Sequence, residues 1–167
     1  MARSVRTILA QVAENHFEEE GTLTAAAVYP GMLLERTSTA DTFQAHSTEG
    51  GPAECLVALE DDGKGGDVTD AYAASGRVRM IRARKGDKIY VRVKDTSSSG
   101  RGTISRGEFL ESNGDGYARA WSAATGAVDS ASDLQSEFHP LFVADEAIDM
   151  ADSSGVTYGG FLKVVVL

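Results

Sequence analysis

Between Gly76 and Asp95 the chain reads GRVRMIRARKGDKIYVRVKD, and this stretch restricts the fold more than any other. Ile89, Val91 and Val93 alternate with Tyr90, Arg92 and Lys94, the period-two pattern of a strand with one packed and one wet face. Val78 and Met80 alternate in the same way with Arg77 and Arg79, until Ile81-Arg82 breaks the rhythm. Lys85-Gly86-Asp87 separates the two runs as a turn.

The same grammar recurs along the chain. Strand candidates lie at 30–36, 42–46, 54–60, 102–104, 108–112, 116–121, 140–144 and 160–166, with separators rich in Gly, Asp and Ser. Few helical patterns intervene, so an antiparallel sheet is favoured over alternating strand and helix. The expectation is a mainly β protein, a small antiparallel barrel or sandwich with an N-terminal arm or short helix. Gly31, Gly86 and Gly107 open or close tight turns, and Asn113-Gly114-Asp115-Gly116 is a hairpin signal because Asn and Gly accept positive φ. Residues 61–76 read as loop, and 122–140 is long for a plain connection.

Residues 4–20 fit two descriptions. Val5, Leu9, Val12 and His16 share one face of a helix, with Ile8 and Phe17 beside it and Gly21 as a stop. Yet Glu18, Glu19 and Glu20 crowd the end where negative charge opposes the helix dipole. The alternative is an arm that orders against a partner, with Ile8, Leu9, Val12 and Phe17 as contact residues. Either way the division is 1–27 as arm or helix and 28–167 as β-barrel domain, so removal of residues 1–20 is expected to leave the barrel folded.

A weak internal repeat runs through the domain. Pro30-Gly31-Met32-Leu33-Leu34-Glu35 is followed later by Ala53-Glu54-Cys55-Leu56-Val57-Ala58-Leu59-Glu60-Asp61. Arg106-Gly107-Glu108-Phe109-Leu110-Glu111-Ser112 is followed by His139-Pro140-Leu141-Phe142-Val143-Ala144-Asp145-Glu146. In both, a glycine turn launches a strand with Leu-Glu, and a later apolar strand passes through Ala to acids. Two similar β units account for it.

Chemistry is sparse. Asp and Glu number 25 against 16 Lys and Arg, a formal charge of -9, which argues against a nucleic-acid partner. Cys55 is the lone cysteine, so no internal disulfide forms. His16, His46 and His139 have no metal-ligand spacing, no serine sits in G-x-S-x-G, and Gly63-Lys64-Gly65-Gly66 lacks the rest of a phosphate loop. Asp61, Asp62, Asp67 and Asp70 miss the spacing of a calcium loop, and Asn113 with Asp115 is too short to enclose an ion. No enzyme, cofactor or metal is expected. No apolar run reaches membrane-spanning length, and no secretory signal opens the sequence, so synthesis in a cytoplasm without a membrane partner is expected. Half of the positive charges fall in one run, Arg77, Arg79, Arg82, Arg84, Lys85, Lys88, Arg92 and Lys94. It reads either as a wet face balanced by acids on neighbouring strands, or as a docking face for an acidic surface.

The phrases VYPGMLLERTSTADTFQAHSTEG, LVALEDD, KGDKIYVRVKD and GEFLESNGDGYARA resemble capsid decoration, or cement, proteins and other small head proteins of tailed viruses of bacteria and archaea. The likeness spreads over residues 28–145. It implies a compact β-domain on the outer surface of a virion, bound to the major capsid protein, commonly as a homotrimer, and stabilising the shell without catalysis. The long 122–140 segment and the first 27 residues depart from a minimal cement domain, and a head fibre, turret, minor head or connector protein fits the same composition. A cellular β-barrel binding module is the further alternative.

Overall fold

A computed structural model describes residues 7–12, 17–24, 28–94, 103–121, 140–150 and 160–167. Except for Pro140, the long 122–140 segment lies outside these residues, as do His16 and His139. The described chain forms thirteen strands and one 3-10 turn, Asp62–Lys64. The strands are β1 (Leu9–Gln11), β2 (Phe17–Leu23), β3 (Leu33–Arg36), β4 (Thr42–Ala45), β5 (Leu56–Ala58), β6 (Arg77–Arg82) and β7 (Lys88–Arg92). Then come β8 (Thr103–Ile104), β9 (Phe109–Ser112), β10 (Ala118–Ala120), β11 (Phe142–Ala144), β12 (Ile148–Asp149) and β13 (Phe161–Val166). The strands expected from residue 30 onward therefore all form. β1, β2 and the short β12 do not follow from the sequence pattern.

Among the described residues the N-terminal segment forms strands and no helix. β2 pairs antiparallel with β6 from Phe17↔Arg82 to Thr22↔Arg77, and parallel with β4 at Thr22↔Thr42 and Leu23↔Phe43. With β3 and β5 it completes a closed barrel in the order β2-β4-β3-β5-β6. The apolar spacing that mimicked a helical face has another cause: Ile8 is fully buried between two sheets, while Phe17 starts a strand whose glutamates face β6. Gly21 is no helix stop either. A Cβ there would lie 2.1 Å from the Phe43 ring, so glycine makes room for the aromatic that fills the barrel.

The second sheet has the order β1-β7-β13-β11-β9-β10, and Val93, just past β7, bridges Ala118 of β10 in parallel. Strand by strand it repeats the first barrel. β3 pairs with β4 on one side and β5 on the other, and β9 does the same with β10 and β11. β6 joins β5 to β2 as β13 joins β11 to β7, and the parallel contact Leu23↔Phe43 has its counterpart in Val93↔Ala118. The irregular hydrogen bonds correspond as well. Gly31 N–H donates to Ala58 O, and Gly107 N–H to Ala144 O, each at 2.8 Å. Leu59 N–H reaches Arg79 O, and Asp145 N–H reaches Lys163 O, each at 2.9 Å. The weak repeat in the sequence is thus one five-strand arrangement used twice, closed by strand pairing in the first copy and joined only by the single Val93↔Ala118 bridge in the second, which is called the second barrel below: Leu33, Leu34 and Glu35 correspond to Phe109, Leu110 and Glu111, and Leu56-Val57-Ala58 to Phe142-Val143-Ala144.

Each barrel has its own interior. Leu23, Leu34, Phe43, Leu56, Ala58, Val78 and Met80 fill the first. Ile89, Val91, Val93, Leu110, Phe142, Leu162 and Val164 belong to the second cluster, which also takes in Leu33, Val57 and Ile81 from the opposite face of the first barrel's strands. At about 25 cal/mol per Å² of apolar surface, this shared core joins the barrels as well as stabilising each.

Candidate functional site

The arginine run lies on the outside of the first barrel, and its charge is matched there. Because β2 runs antiparallel to β6, three consecutive glutamates meet the arginines of β6: Arg77 and Arg79, which alternate on one face, and Arg82, beyond the break in rhythm at Ile81. Arg77 meets Glu20 at 3.0 Å, Arg79 meets Glu18 at 2.9 Å, and Arg82 meets Glu54 at 3.1 Å and Glu19 at 3.4 Å. Arg36 joins the grid through Glu19 and Glu54. The hydrogen bond that Arg79 donates to Glu18 holds its guanidinium above the ordinary value against the effect of burial. Arg84 stacks over the Phe17 ring at 4.5 Å, a cation–π contact. The rest of the run is also engaged apart from the turn residue Lys85: Lys88 pairs with Asp145, Lys94 with Asp115, and Arg92 donates to the carbonyls of Pro30 and Val68. Of the two readings of this run, the geometry supplies the acids that the wet-face reading requires.

Of the four apolar residues expected to contact a partner, one is fully buried, two are half-buried and one is exposed. Ile8 is buried, and its N–H donates to the Glu60 carboxylate at 3.1 Å. Leu9 pairs with Ile89 on the edge of β7, and Val12 packs against the shared core. Phe17 alone of the four is an exposed large hydrophobic residue, at 59%.

The expected turns hold, with φ near 85° at Gly31, 91° at Gly86, 88° at Gly107, 81° at Gly114 and 82° at Gly116. The turn after β9 does more than reverse the chain. Leu33 N–H donates to Gly116 O at 2.7 Å, and Gly116 N–H donates to His46 O at 3.1 Å, so the second barrel's turn is seated on the rim of the first. Glu49 bridges Asn113, and Gly50 N–H donates to Ser112 O at 2.8 Å. A Cβ at Gly116 would meet the Met32 methyl at 2.6 Å, which is why the seat needs glycine. Asp115, the calcium candidate, is taken up by Lys94 at 2.8 Å and by Asn113 Nδ2 at 2.9 Å. No group of three or more His, Cys, Asp or Glu among the described residues is arranged to hold a metal.

A serine, a histidine and a glutamate meet at this junction. His46 Nδ1 lies 2.7 Å from Ser112 Oγ, and its Nε2 lies 3.1 Å from Pro52 O and 3.8 Å from Glu35 Oε2. A carbonyl only accepts, so Nε2 donates to Pro52. Ser112 Oγ accepts from Gly114 N–H at 3.1 Å and is fully buried, so no substrate carbonyl reaches it. Burial works to raise the Glu35 carboxyl, but Ser47 and Gln44 hydrogen bonds outweigh it and hold it below its ordinary value. Glu111, Glu35's counterpart, binds Arg119 at 2.7 Å. The set is a polar rivet between barrels, with each buried group satisfied.

Two remaining features carry no chemistry. A recess of about 320 Å³ between the 61–76 loop and the start of β6 is lined by Asp61, Gly65, Asp70, Tyr72 and Arg77. Tyr72 is held by its hydroxyl donating to Leu59 O, and burial pushes its phenol up to about 12. Burial likewise pushes the Cys55 thiol up to about 11, leaving little thiolate to react.

The sequence matches no protein-family model and no curated relative at a significant level. Among solved structures the chain is similar to the N base of the head fibre protein gp8.5 of bacteriophage phi29. The superposition has a TM-score of 0.54 at 11% identity and covers 92% of this chain and 95% of that one. At this identity the likeness establishes a shared fold.

Proposed function

We propose that this chain is a non-catalytic structural component of a viral head, attached to the outside of the assembled shell. One observation carries the reading: its fold runs over 92% of its length alongside the base of a phage head fibre. The sequence resemblance to small head proteins points the same way. The physical character of the molecule suits the role. Two barrels joined by a common core, a seated turn and a buried polar rivet make a stiff block that resists relative motion. Added contacts across joints between shell subunits raise the barrier to rupture. The partner in this reading is the major capsid protein.

Two positions on the head are compatible with such a block. Decoration of the shell lattice is the first, and the foot of a fibre is the second. The fold likeness favours the second, because the matched structure is itself a fibre base. The experiment is density-gradient fractionation of native particles with quantitative mass spectrometry of each band. Co-migration with the shell protein near one to one supports decoration, and a few copies per particle supports a fibre base. Recovery only among small soluble proteins overturns the viral reading.

A further inference from the structure

β2 and β7 hold the same place in their barrels, and they differ in what lies along one edge. Their residues match in register. Leu23↔Phe43 corresponds to Val93↔Ala118, and Thr24 N–H donates to Phe43 O at 3.0 Å as Lys94 N–H donates to Ala118 O at 2.9 Å. Gly21↔Val78 corresponds to Val91↔Leu162, and Glu19↔Met80 to Ile89↔Val164. Glu20 is therefore the counterpart of Tyr90. On the edge of β7 turned away from β13, Tyr90 N–H donates to Ile8 O at 2.8 Å, and β1 covers that edge through Leu9↔Ile89 and Gln11↔Lys88. On the edge of β2 turned away from β6, β4 pairs only with Thr22 and Leu23, and no described strand continues along Phe17–Gly21. Alternate residues of a strand turn their N–H and C=O groups to the same side. Glu20 thus presents both on the side where Thr22 N–H reaches Asp41 O at 2.9 Å. Tyr90 is buried beneath its cover, whereas Glu20 is exposed.

We propose that the Glu20 edge of β2 binds an extended segment of another protein carrying Lys or Arg at alternate positions, which adds as a strand in the way β1 adds to β7. Main-chain hydrogen bonds give such a contact its geometry, and the side chains beside it choose the occupant. Here they are acids. Glu20 accepts from Arg77 through Oε2 and keeps Oε1 without a partner among the described residues. Asp41 is exposed at the end of the edge, and its carboxylate likewise has no partner among the described residues. An added strand with alternating basic side chains sets opposite charges across the new pair. A bare edge pairs without discrimination, and the glutamates restrict this one to basic partners. They also disfavour a second copy, since two β2 edges side by side would set Glu against Glu in chains of net charge -9. Segments 122–139 and 151–159 contain no Lys or Arg, so the chain does not supply such a strand from them.

The probe is a soluble peptide of alternating Lys and Val, titrated into the full chain by fluorescence anisotropy, with amide hydrogen exchange read at Glu20. The peptide should bind and slow exchange of the Glu20 amide by about tenfold or more. The same peptide methylated on every backbone nitrogen keeps its charge and loses its donors, and it should bind about tenfold more weakly or worse. Glu20→Lys should weaken binding by a similar factor and leave the circular dichroism spectrum intact. Glu108→Lys, in the second barrel, should leave binding unchanged. Absence of binding overturns the proposal. So does binding that methylation leaves intact, which is charge attraction alone, or binding that leaves the Glu20 amide unprotected. A Glu20 amide already protected without peptide overturns it as well, because the chain then covers its own edge. If Glu20→Lys fails to fold, the methylated peptide and the exchange readout on the unaltered chain still decide the matter.

Discussion

Gly31 and Gly107 are one residue of one turn, used twice. Both have positive φ, 85° and 88°, and both give their N–H to the carbonyl of the alanine that ends the paired strand, Ala58 of β5 and Ala144 of β11. Their surroundings differ. A Cβ on Gly31 would sit 2.8 Å from the Phe161 ring and 3.3 Å from Ile8, whereas a Cβ on Gly107 meets nothing within 4 Å. Gly107→Ala should therefore cost only the backbone term, about 1 kcal/mol. Gly31→Ala should cost at least about 1 kcal/mol more, because it also pushes into the junction. Urea denaturation of the two variants checks the order.

Gly21 and Phe43 make a coupled pair. Gly21→Ala forces the Phe43 ring out of the first barrel and should destabilise by roughly 2–3 kcal/mol. In the Phe43→Leu background the same change should cost clearly less, a coupling of about 1 kcal/mol or more. Additive losses in the double-mutant cycle would show that the ring can move elsewhere.

The ion-pair grid makes a weaker, salt-sensitive prediction. Glu18→Arg sets two like charges against each other and should lower stability by about 0.5–1 kcal/mol at low salt. Adding Arg79→Glu should recover most of the loss, since their side chains are 38% and 29% exposed and the geometry is reversible. Thermal melts at low and high salt measure both effects, and the penalty should shrink as salt rises.

Acid should loosen the molecule through its paired carboxylates. Lys88 and Lys163, each 3.2 Å away, hold the Asp145 carboxyl below its ordinary 3.8. Burial works to raise Asp115, but Lys94, Asn113 and the Tyr117 N–H prevail and lower it. A carboxyl depressed in the folded state contributes fully above its unfolded value, and the contribution is lost as pH falls through the folded one. The urea midpoint should thus be flat from neutral pH to about 5 and decline below about 4. Asp145→Asn should make that decline shallower.

Deleting residues 1–20 should abolish folding rather than leave a barrel. It removes Ile8 from the shared core and takes Phe17–Glu20 out of β2, leaving β6 without most of its partner. A cooperative thermal transition in the truncated chain would show that the first barrel closes without β2.

Most of this was legible from residue 30 onward, where alternation and glycine turns coincide. The strand beginning at Leu33, the KGD turn and the hairpin at Asn113 all follow from local pattern. The duplication was legible only as a faint echo, because the positions that correspond carry different neighbours: Leu33 is inside a junction and Phe109 outside one. β2 escapes the local pattern because its exposed side chains are glutamates, whose reason lies in the arginines of β6 far along the chain. FEEEG set beside GRVRMIR carries the signal, three acids against three bases, but only once the two segments are known to be antiparallel. The junction had no local signature at all: His46 and Ser112 become partners only in space.

The pairing of Leu9 with Ile89 also has a meaning in time. All strands of the first barrel lie between Phe17 and Arg82, so that barrel can close while the ribosome is still working on the second. β1 cannot join it. It must wait for β7, which at roughly 5–20 residues per second is a delay of several seconds. Ile8 is then a latch fitted late: it secures the first barrel to the second only after both halves exist, and until then it is the loose end that a protease or a neighbouring nascent chain would meet first.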